Sequence, residues 1–560
     1  MAGPVPFQRA HHLDRLRREP VDVLVIGGGI TGCGVALDAA TRGLSVALVE
    51  RDDLASGTSS KSSKLIHGGL RYLQQGDVRL VYEALHERQR LLRNAPHLVS
   101  VLPFLIPVLT RDGPVSKRIA KALRSALWMY DLTGGLRIGK RHRRLDAADT
   151  LVHCPTLPAD RVSSGFVYYD AQADDARVTL AVARTAAAHG AIVVNHCEVV
   201  ELTRSAGPDG PVDGAIVHDR VAGDTVAVRA RCVVSATGVW VDRICALDEG
   251  QDPDSVRPAK GVHLTVPWEL VRNDIAVIVS VPKDKRSLFL VPWGPRPDGT
   301  FERCYVGTTD TDYAGELDDP QTNDDDLDYV LSALEHSIRG DRTITRDDVT
   351  AVWAGLRPLV KSAGTGRTAD LSRRHEVSTS AGGVITITGG KFTTYRQMAE
   401  DTVDGVLARL GRPASWWRGR SRTKRLRLVG GDGFRPSDGD PVRRHLERRH
   451  GTDAAVVEAL VAADPSLGEP LVPGLSYLRA EAVHAVRSEM AITLVDVLAR
   501  RTRAHLEDRA ACRAAAADVA ALLAPELGWS TTDQDAQVAA YLAMCDAEEA
   551  AASVRDPAVG

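Results

Sequence analysis

Short apolar runs separated by glycine-containing turns recur through the first 410 residues of the chain. Val21–Ile26 is a mostly β-branched run, which is typical of a strand buried in a parallel sheet. The pattern then predicts a helix over residues 30–41, broken by Gly43, and a second strand over residues 44–49. Similar runs return at residues 231–235 and 384–388. We therefore expect an α/β domain assembled from segments that are distant in sequence.

Other elements follow from the same pattern further along the chain. Strands are predicted at residues 262–266, 287–292 and 304–307, and a helix begins at the acidic residues 324–326, where negative charge suits the helix N-terminus. The most apolar run, residues 98–109, is interrupted by Pro103 and Pro107 and is too short to span a bilayer. From about residue 411 helices dominate, ending in an alanine-rich stretch over residues 510–524.

The turn after the first strand carries the strongest motif. Gly27, Gly29 and Gly32 have the spacing G-x-G-x-x-G, and Glu50 closes the second strand. The three glycines suit a tight turn, close approach of the backbone to a pyrophosphate, and close packing of helix on strand. The helix N-terminus attracts phosphate, and Glu50 can accept hydrogen bonds from ribose hydroxyls. A turn without a ligand is the alternative for the motif alone, but the whole arrangement predicts dinucleotide binding.

Two more turns help to choose between FAD and NAD, which share this fingerprint. Gly238 follows the strand at residues 231–235, although a generic strand-to-turn junction explains it equally well. Gly390 lies in a turn rich in glycine and hydroxyl residues, ahead of a helix predicted from about residue 396 to 410. Turns of this kind in three separate segments favour FAD over a simple NAD domain.

Between these turns lie stretches that carry a resemblance to a known family. They are TSSKSSKLIHGGLRYL at residues 58–73, GLRPL at 355–359 and GGKFTTYR at 389–396, with a looser match at residues 499–503. Together with the first turn, the chain closely resembles the FAD-dependent, respiratory glycerol-3-phosphate dehydrogenases. The resemblance implies oxidation of sn-glycerol 3-phosphate to dihydroxyacetone phosphate, with electrons passed through FAD to a membrane quinone.

The resemblance also implies a fold. It is that of the D-amino-acid and glycine oxidases: a Rossmann-like FAD domain, an antiparallel substrate domain and an added helical C-terminal domain. We accordingly expect an N-terminal extension over residues 1–20 and a discontinuous FAD domain over residues 21–95, 165–260 and 355–410. Residues 96–164 and 261–354 would form the substrate domain, and residues 411–560 the helical domain.

Cationic side chains in these motifs are candidates for the substrate site. A dianionic phosphate calls for converging arginine or lysine side chains. A surface ion pair is the alternative for any single arginine, and Arg374 is an alternative to its neighbour Arg373. The candidates that lie on or beside the family's motifs are Arg71, Tyr72, Arg357, Arg373 and Lys391.

The reaction also needs a group that takes the proton of the substrate hydroxyl. His67, His263 and Lys391 are the candidates, because a neutral histidine or a partly desolvated lysine can accept a proton. His263 occupies the position of an active-site histidine in the family, whereas His67 could instead pack beneath the flavin. A structural role is the alternative for each histidine, and the sequence leaves the choice open.

Hydroxyl and glycine residues complete the expected FAD site, with an ordinary polar loop as the alternative for residues 58–63. Asp310, in the motif VGTTD, is expected to order the substrate site rather than to react. The predicted FAD contacts outside the first turn are Thr58, Ser59, Ser60, Ser62, Ser63, Gly238, Gly390, Lys391 and Thr393.

Composition excludes several other classes. The 560 residues include 70 Lys plus Arg and 73 Asp plus Glu, so the net charge of −3 gives no general attraction to nucleic acid. The eight cysteines are scattered without a CxxC pair, which predicts buried free thiols in a reducing cytosol and no metal site. Residues 1–20 lack the apolar core of a signal peptide.

The distribution of charge adds one expectation. Basic residues with tryptophan among them cluster at residues 117–144 and 416–425, a pattern that suits anionic lipid, with a solvated basic face as the alternative. Because quinones reside in the bilayer, we expect a cytoplasmic protein held on the inner face of the cell membrane, with a homodimer as one assembly. The rival functions are a glycerol-3-phosphate oxidase that uses O2, an amino-acid oxidase, and a non-catalytic flavin-binding scaffold.

Overall fold

Two β-sheets and a set of C-terminal helices organise the chain in the computed structural model, which describes residues 7–69, 78–110, 120–134, 138–282, 284, 286–361, 374–412 and 419–552. In these residues the strands are β1 (Val21–Ile26), β2 (Val46–Val49), β3 (Leu65–Ile66), β4 (Val99–Leu109), β5 (Arg143–Leu145), β6 (Val162–Ala173), β7 (Ile192–Val194), β8 (Cys197–Thr203), β9 (Gly214–Asp219), β10 (Thr225–Ser235), β11 (Val256–Pro267), β12 (Ala276–Ser280), β13 (Ser287–Pro295), β14 (Phe301–Gly307), β15 (Thr311–Asp312), β16 (Ala351–Val360), β17 (His375–Thr379) and β18 (Ile385–Gly389).

The helices surround and extend these sheets. They are α1 (Arg9–Arg18), α2 (Ile30–Thr41), α3 (Val78–Asn94), α4 (Ala120–Thr133), α5 (Ala147–His153), α6 (Asp175–Ala188), α7 (Val241–Glu249), α8 (Asp324–Ser337), α9 (Tyr395–Arg409), α10 (Pro441–His450), α11 (Ala454–Ala463), α12 (Arg479–Glu489), α13 (Ala504–Glu507), α14 (Arg509–Leu527) and α15 (Thr531–Ala552), with a π-helix at Asp496–Arg501.

The first sheet has the order β17-β18-β10-β1-β2-β7, with β8 and β9 attached through β10. Its central strands β18, β10, β1, β2 and β7 are parallel, and their apolar side chains are buried on both faces, as a parallel sheet requires. Helices α2, α6 and α9 pack together on one face. The carboxyl ends of β1, β2, β10 and β18 therefore lie at one edge, where ligands bind in open α/β sheets.

The second sheet has the order β15-β11-β14-β13-β12-β4-β6-β3, and β16 and β5 pair with β11 and β6. All its pairs are antiparallel except β12 with β4. The long pair of β11 and β16 places His263 opposite Trp353 and Ala259 opposite Arg357. This register brings candidate side chains from two distant segments onto neighbouring strands.

The C-terminal helices form a unit with two apolar cores: one of α12 to α15, which includes Leu494, Val519 and Tyr541, and a smaller one of α10 and α11 with the start of α12. The turn of residues 499–503 leaves this unit and reaches the loop between β2 and β3, where Arg503 contacts Ser60. The helical unit therefore touches the edge at which the first sheet would bind a ligand.

The structure confirms the predicted fold class and most of the predicted elements. The helix at residues 30–41 and the strands predicted at 262–266, 287–292 and 304–307 are present, the strands within longer ones. The second strand begins at Val46 rather than residue 44, because Gly43 at φ 84° still belongs to the turn after α2. No helix among the described residues is long and apolar enough to cross a membrane.

The predicted domain boundaries stay a prediction. Three strands extend across them: β6 begins before residue 165, β11 runs through residues 260 and 261, β16 begins before residue 355, and all three pair in the second sheet. The FAD and substrate domains are thus joined by continuous strands.

Candidate active site

A cavity of about 930 Å³ extends from the ligand-binding edge of the first sheet to the face of the second. Its volume is in the range of pockets that hold cofactors and substrates. Its wall combines the ends of β1, β2 and β10, the loop between β2 and β3, strands β11, β13 and β16, and the turn after β18.

The turn after β1 forms one end of the cavity and depends on two glycines. Gly27 has φ 109°, and a Cβ on it would lie 2.7 Å from the carbonyl oxygen of Ala236. A Cβ on Gly32 would lie 1.9 Å from the carbonyl oxygen of Gly27. Only glycine therefore allows α2 to begin this close to β1, which leaves Gly29 and the first turn of α2 on the cavity wall.

Glu50 lines the cavity where β2 ends. Its carboxylate accepts hydrogen bonds from the backbone N–H groups of Gly28 at 2.5 Å and Asp52 at 2.9 Å. These bonds fix the carboxylate against the glycine turn, whereas burial raises its pKa. The role of Glu50 as an acceptor of ribose hydroxyls stays a prediction.

The loop of residues 58–63, the hydroxyl loop, has side chains in two different roles. Thr58, Ser59, Ser62 and Ser63 line the cavity, and the Ser59 hydroxyl accepts the backbone N–H of Ile30 at 2.9 Å, which ties the loop to the start of α2. Ser60 does not line this cavity; its carbonyl oxygen instead accepts a hydrogen bond from Arg503 at 2.5 Å. The structure therefore gives no support to Ser60 as a cofactor contact.

The other two predicted turns reach the same cavity. Gly238, Gly390, Lys391 and Thr393 all line it. The Thr393 hydroxyl accepts the backbone N–H of His67 at 3.3 Å, so the turn after β18 also contacts the loop that follows β3. Residues of all three turns predicted from the sequence therefore line this one cavity.

His263 lies on β11 with its ring stacked on Trp353, the two centroids 4.9 Å apart and the planes at 9°. Its Nε2 lies 2.8 Å from the Ser63 hydroxyl, and its Nδ1 has no hydrogen-bond partner among the described residues. Burial, followed by the charges of Lys64 and Arg357, lowers the pKa of His263 well below its usual value. The imidazole is therefore neutral, the form that can accept a proton.

His67 and Lys391 also line the cavity, so the structure brings all three predicted proton acceptors together. The choice among them stays open; His263 has a side-chain partner in the hydroxyl loop, the Ser63 hydroxyl.

Arg357 lies on the cavity wall beside the carboxylate of Asp310. Its Nη1 donates to Asp310 at 2.9 Å, and its Nη2 donates to the Thr308 hydroxyl and the Thr309 carbonyl, both at 3.2 Å. Asp310 therefore orients Arg357, which agrees with the ordering role expected of it. Arg71, Tyr72 and Arg373 lie outside the described residues, and Arg374 is exposed and not part of the cavity wall.

Sequence reasoning missed residues whose partners are distant. Lys64 belongs to the hydroxyl motif, but its side chain is buried over Trp353 and pairs with Asp175 at 3.1 Å. Burial lowers the pKa of Lys64 to about 8. Arg286, directly before β13, also lines the cavity. A cation beside an apolar strand is the only signal in the sequence for Arg286, and such positions are too common to single it out.

Two groups of histidine and acidic side chains come close enough to share an ion: Asp53 with His196 and Asp496, and His450 with His484 and Glu489. In each group an arginine already pairs with a carboxylate, Arg501 with Asp53 and Arg177 with Glu489, both at 2.6 Å. A metal ion there would meet charge of its own sign, so neither group supports a metal site. The expectation of no metal stays a prediction.

Comparisons with known proteins agree with this geometry. The chain matches the FAD dependent oxidoreductase family over residues 22–396 and the C-terminal domain of alpha-glycerophosphate oxidase over residues 421–534. It is 41% identical to glycerol-3-phosphate dehydrogenase 2 of Mycobacterium tuberculosis, an alignment that covers 97% of this chain and 91% of the relative.

Solved structures show the same relationship. The glycerol-3-phosphate dehydrogenase of Bacillus halodurans, complexed with FAD, superposes with a TM-score of 0.74 at 29% identity and covers 97% of both chains. Glycine oxidase of Geobacillus kaustophilus, at 19% identity, covers 70% of this chain and 95% of its own with a TM-score of 0.50, and shares the fold.

The residues present suit FAD as the cofactor. The glycine turn leaves room for a backbone approach, the start of α2 offers N–H groups to phosphate, and Glu50 lies where a ribose acceptor is needed. The same cavity is also lined by Lys391, just after β18, and by His263 of the second sheet. FAD is the cofactor of this protein, and the chain belongs to the family of FAD-dependent glycerol-3-phosphate dehydrogenases.

Proposed function

We propose that the protein oxidises sn-glycerol 3-phosphate at C2 to dihydroxyacetone phosphate and passes the electrons to a membrane quinone. The observation that carries the proposal is the convergence of Arg357, His263 and Lys391 on the cavity that the FAD-binding turns enter. FAD, when bound, supplies the acceptor for the hydride that leaves C2. The chain itself must bind the phosphate, align C2 and take the hydroxyl proton.

Arg357 is the proposed anchor for the substrate phosphate. Its guanidinium is held in place by Asp310 and the backbone at Thr309, so little conformational freedom is lost when an anion binds. The side chain is 23% exposed, which leaves part of it accessible from the cavity. Fixing the phosphate end in this way fixes the distance from C2 to the cofactor.

His263 is the proposed proton acceptor, with Lys391 and His67 as alternatives. The His263 ring is neutral and is held between Trp353 and Ser63, so one nitrogen can take the hydroxyl proton without prior loss of its own. Further along the same sheet, β4, β12 and β13 give the cavity an apolar wall with Ile106, Ile278 and Phe289. Such a wall excludes water and strengthens the charge interactions at the reacting centre.

The exposed faces of α3 and α4 support the membrane part of the proposal. Val78 and Tyr82 on α3, and Trp128, Met129 and Leu132 on α4, are between 43% and 68% exposed, while the inner faces of both helices pack in one core. Leu123 of that core also lines the cavity. We therefore propose that this apolar surface rests on the inner leaflet of the cell membrane, where a quinone could approach the cofactor site.

Anaerobic titration of the purified protein with glycerol 3-phosphate tests the chemistry. We expect stoichiometric loss of the flavin absorbance near about 450 nm, a property of oxidised flavin. A spectrum that glycerol 3-phosphate leaves unchanged would rule out the substrate and favour the flavin-binding scaffold.

The acceptor needs a separate measurement, because the match to an alpha-glycerophosphate oxidase domain makes oxidase activity the second candidate. We expect reduction of a soluble quinone analogue and little peroxide; peroxide in equal amount to substrate would establish the oxidase instead.

For the membrane, Trp128→Glu should reduce binding to vesicles containing anionic lipid. Val152→Glu, at a residue 71% exposed on α5, is the matched control and should bind as the unmodified protein does. Equal binding of both variants would exclude the α3–α4 surface.

A further inference from the structure

Arg286 lies on the same cavity wall as Arg357, on the other side of Asp310. Its Nη1 donates to the carbonyl oxygen of Asp310 at 2.7 Å, whereas Arg357 donates to the carboxylate of the same residue at 2.9 Å. One residue therefore holds two guanidinium groups at one end of the cavity. The pairing is unexpected from the sequence, since Arg286 belongs to none of the motifs.

The position of Arg286 is fixed by further contacts. Its Nε donates to the Asp284 carboxylate at 2.7 Å, which also accepts the Tyr329 hydroxyl at 2.8 Å. The Tyr329 ring lies beneath the guanidinium, 5.0 Å from its central carbon to the ring centroid. An arginine held by strand, helix and loop at once is preorganised, unlike a surface side chain that must lose its freedom on binding.

The accessible part of Arg286 is comparable with that of Arg357. The two side chains are 27% and 23% exposed, and both line the cavity. Asp284 pairs with Arg286 and Asp310 pairs with Arg357, so that Arg286 adds a second set of oriented, accessible N–H donors at this end of the cavity rather than an unpaired charge. A singly charged ligand would be served by one arginine, but a phosphate dianion is stabilised best by two donors on different sides.

We propose that Arg286 is a second phosphate-binding residue, which acts with Arg357 and selects a dianionic substrate over neutral polyols and monoanions. This inference rests on the proposed oxidation of glycerol 3-phosphate and names the residue that sets its charge specificity. Asp284 and Tyr329 are positioning residues, because they contact Arg286 and do not line the cavity.

The test compares the two arginines that flank β13. Arg286→Gln removes the charge at the cavity, and Arg286→Lys keeps the charge but not the fork of donors. Arg296→Gln is the matched control: Arg296 follows the same strand, pairs with Glu269 at 3.0 Å and does not line the cavity. Each variant is titrated with glycerol 3-phosphate and, separately, with inorganic phosphate while the flavin spectrum is followed.

We expect Arg286→Gln to raise the KM for glycerol 3-phosphate and the Kd for phosphate by about 10- to 100-fold, with a smaller change in kcat, since a lost charged hydrogen bond is felt in binding. The KM and Kd of Arg286→Lys should lie between those of Arg286→Gln and those of the unmodified protein. Arg296→Gln should match the unmodified protein in both. If Arg286→Gln loses FAD, the KM and Kd of Arg286→Lys decide whether Arg286 binds the phosphate. Phosphate and substrate affinities within about twofold of the unmodified protein in both variants would overturn the assignment.

The phosphate titration also separates this inference from the proposed function. Absence of flavin reduction in the unmodified protein would contradict the proposed oxidation, yet weaker phosphate binding in Arg286→Gln would still identify an anion site. Normal reduction with unchanged phosphate binding would preserve the oxidation and remove Arg286 from it.

Discussion

Arginines occur in two regions of this molecule with opposite surroundings. At the end of the π-helix, Arg500 and Arg501 both donate to the buried carboxylate of Asp53 at 2.6 Å. Arg503 donates to Asp175 at 2.9 Å, and this carboxylate also pairs with Lys64 and accepts the backbone N–H of Ser62. These side chains are nearly inaccessible, and their charges are matched inside the protein.

The arginines of the cavity are also paired, but they stay partly accessible. Arg357 pairs with the Asp310 carboxylate, Arg286 pairs with Asp284 and donates to the Asp310 carbonyl, and about a quarter of each arginine side chain remains exposed. A buried charge that is fully paired stabilises one arrangement of the chain, whereas an oriented charge with accessible donors is suited to a ligand. What distinguishes the two roles is how deeply the partner carboxylate is buried, and not the presence of the arginine itself.

The largest effect is expected from Arg503→Ala. It leaves Asp175 with less positive charge in a dry site and releases the carbonyl of Ser60, and breaking a buried pair costs about 3–5 kcal/mol of folding free energy. We expect a lower Tm and loss of FAD on gel filtration, because the released loop carries Ser59, Ser62 and Ser63. Thermal unfolding and flavin content are the measurements.

Arg487→Ala is the control for that experiment. Arg487 belongs to the same helical unit, but its pair with Glu526 is on the surface, with the arginine side chain 52% exposed. Exposed pairs contribute about 0–1 kcal/mol. A Tm loss as large as that of Arg503→Ala would show that the distinction between the two kinds of pair is false.

An intermediate effect, confined to the substrate, is expected from Arg357→Ala. Removal of the guanidinium leaves the Asp310 carboxylate facing the incoming phosphate, so the KM should rise by about 100-fold or more while FAD is retained. Asp310→Asn in the same chain removes the repulsion and should recover part of the loss. Steady-state kinetics on the single and double variants measure the coupling. Loss of FAD from Arg357→Ala would instead place Arg357 with the structural arginines.

The smallest effect is expected from pH. Because burial and two nearby cations lower the pKa of His263, the ring keeps its neutral, proton-accepting form until the pH falls well below the ordinary histidine value of about 6.5. Flavin reduction at saturating substrate, followed anaerobically by stopped flow, should therefore stay level between about pH 6 and 7. A decline near pH 6.5 that His263→Asn abolishes would contradict this, and a limb at higher pH that Lys391→Arg shifts would assign the proton to Lys391.

The sequence predicted the parts of the site that depend on local geometry. The turn at Gly27 and Gly32, the helix after it and the strand ending at Glu50 need only neighbouring residues, and their pattern is visible in one short segment. The recurring runs and turns also predict a domain assembled from distant segments. Arg357, in contrast, is predicted through the resemblance to a known family's motif and not through local geometry.

The contacts that complete the site could not be predicted. Ser63 was expected to bind the cofactor, but its hydroxyl meets His263, 200 positions away, and Ser60 turns towards Arg503 rather than the cavity. Both outcomes depend on how two sheets and a helical unit meet, and no local propensity encodes that. Arg286 could not be predicted for the same reason, because its partner Tyr329 lies on α8, which is distant from Arg286 in the sequence.

The hydrogen bond from Arg503 to the carbonyl oxygen of Ser60 also has a consequence for the synthesis of the protein. The two residues are 443 positions apart, so a ribosome that adds about 5–20 residues per second needs about 20–90 s to make the second after the first. Throughout that interval the nascent loop lacks its anchor. We therefore expect stable loading of FAD only after the ribosome has passed residue 503, because Arg503 anchors the loop that carries Ser59, Ser62 and Ser63.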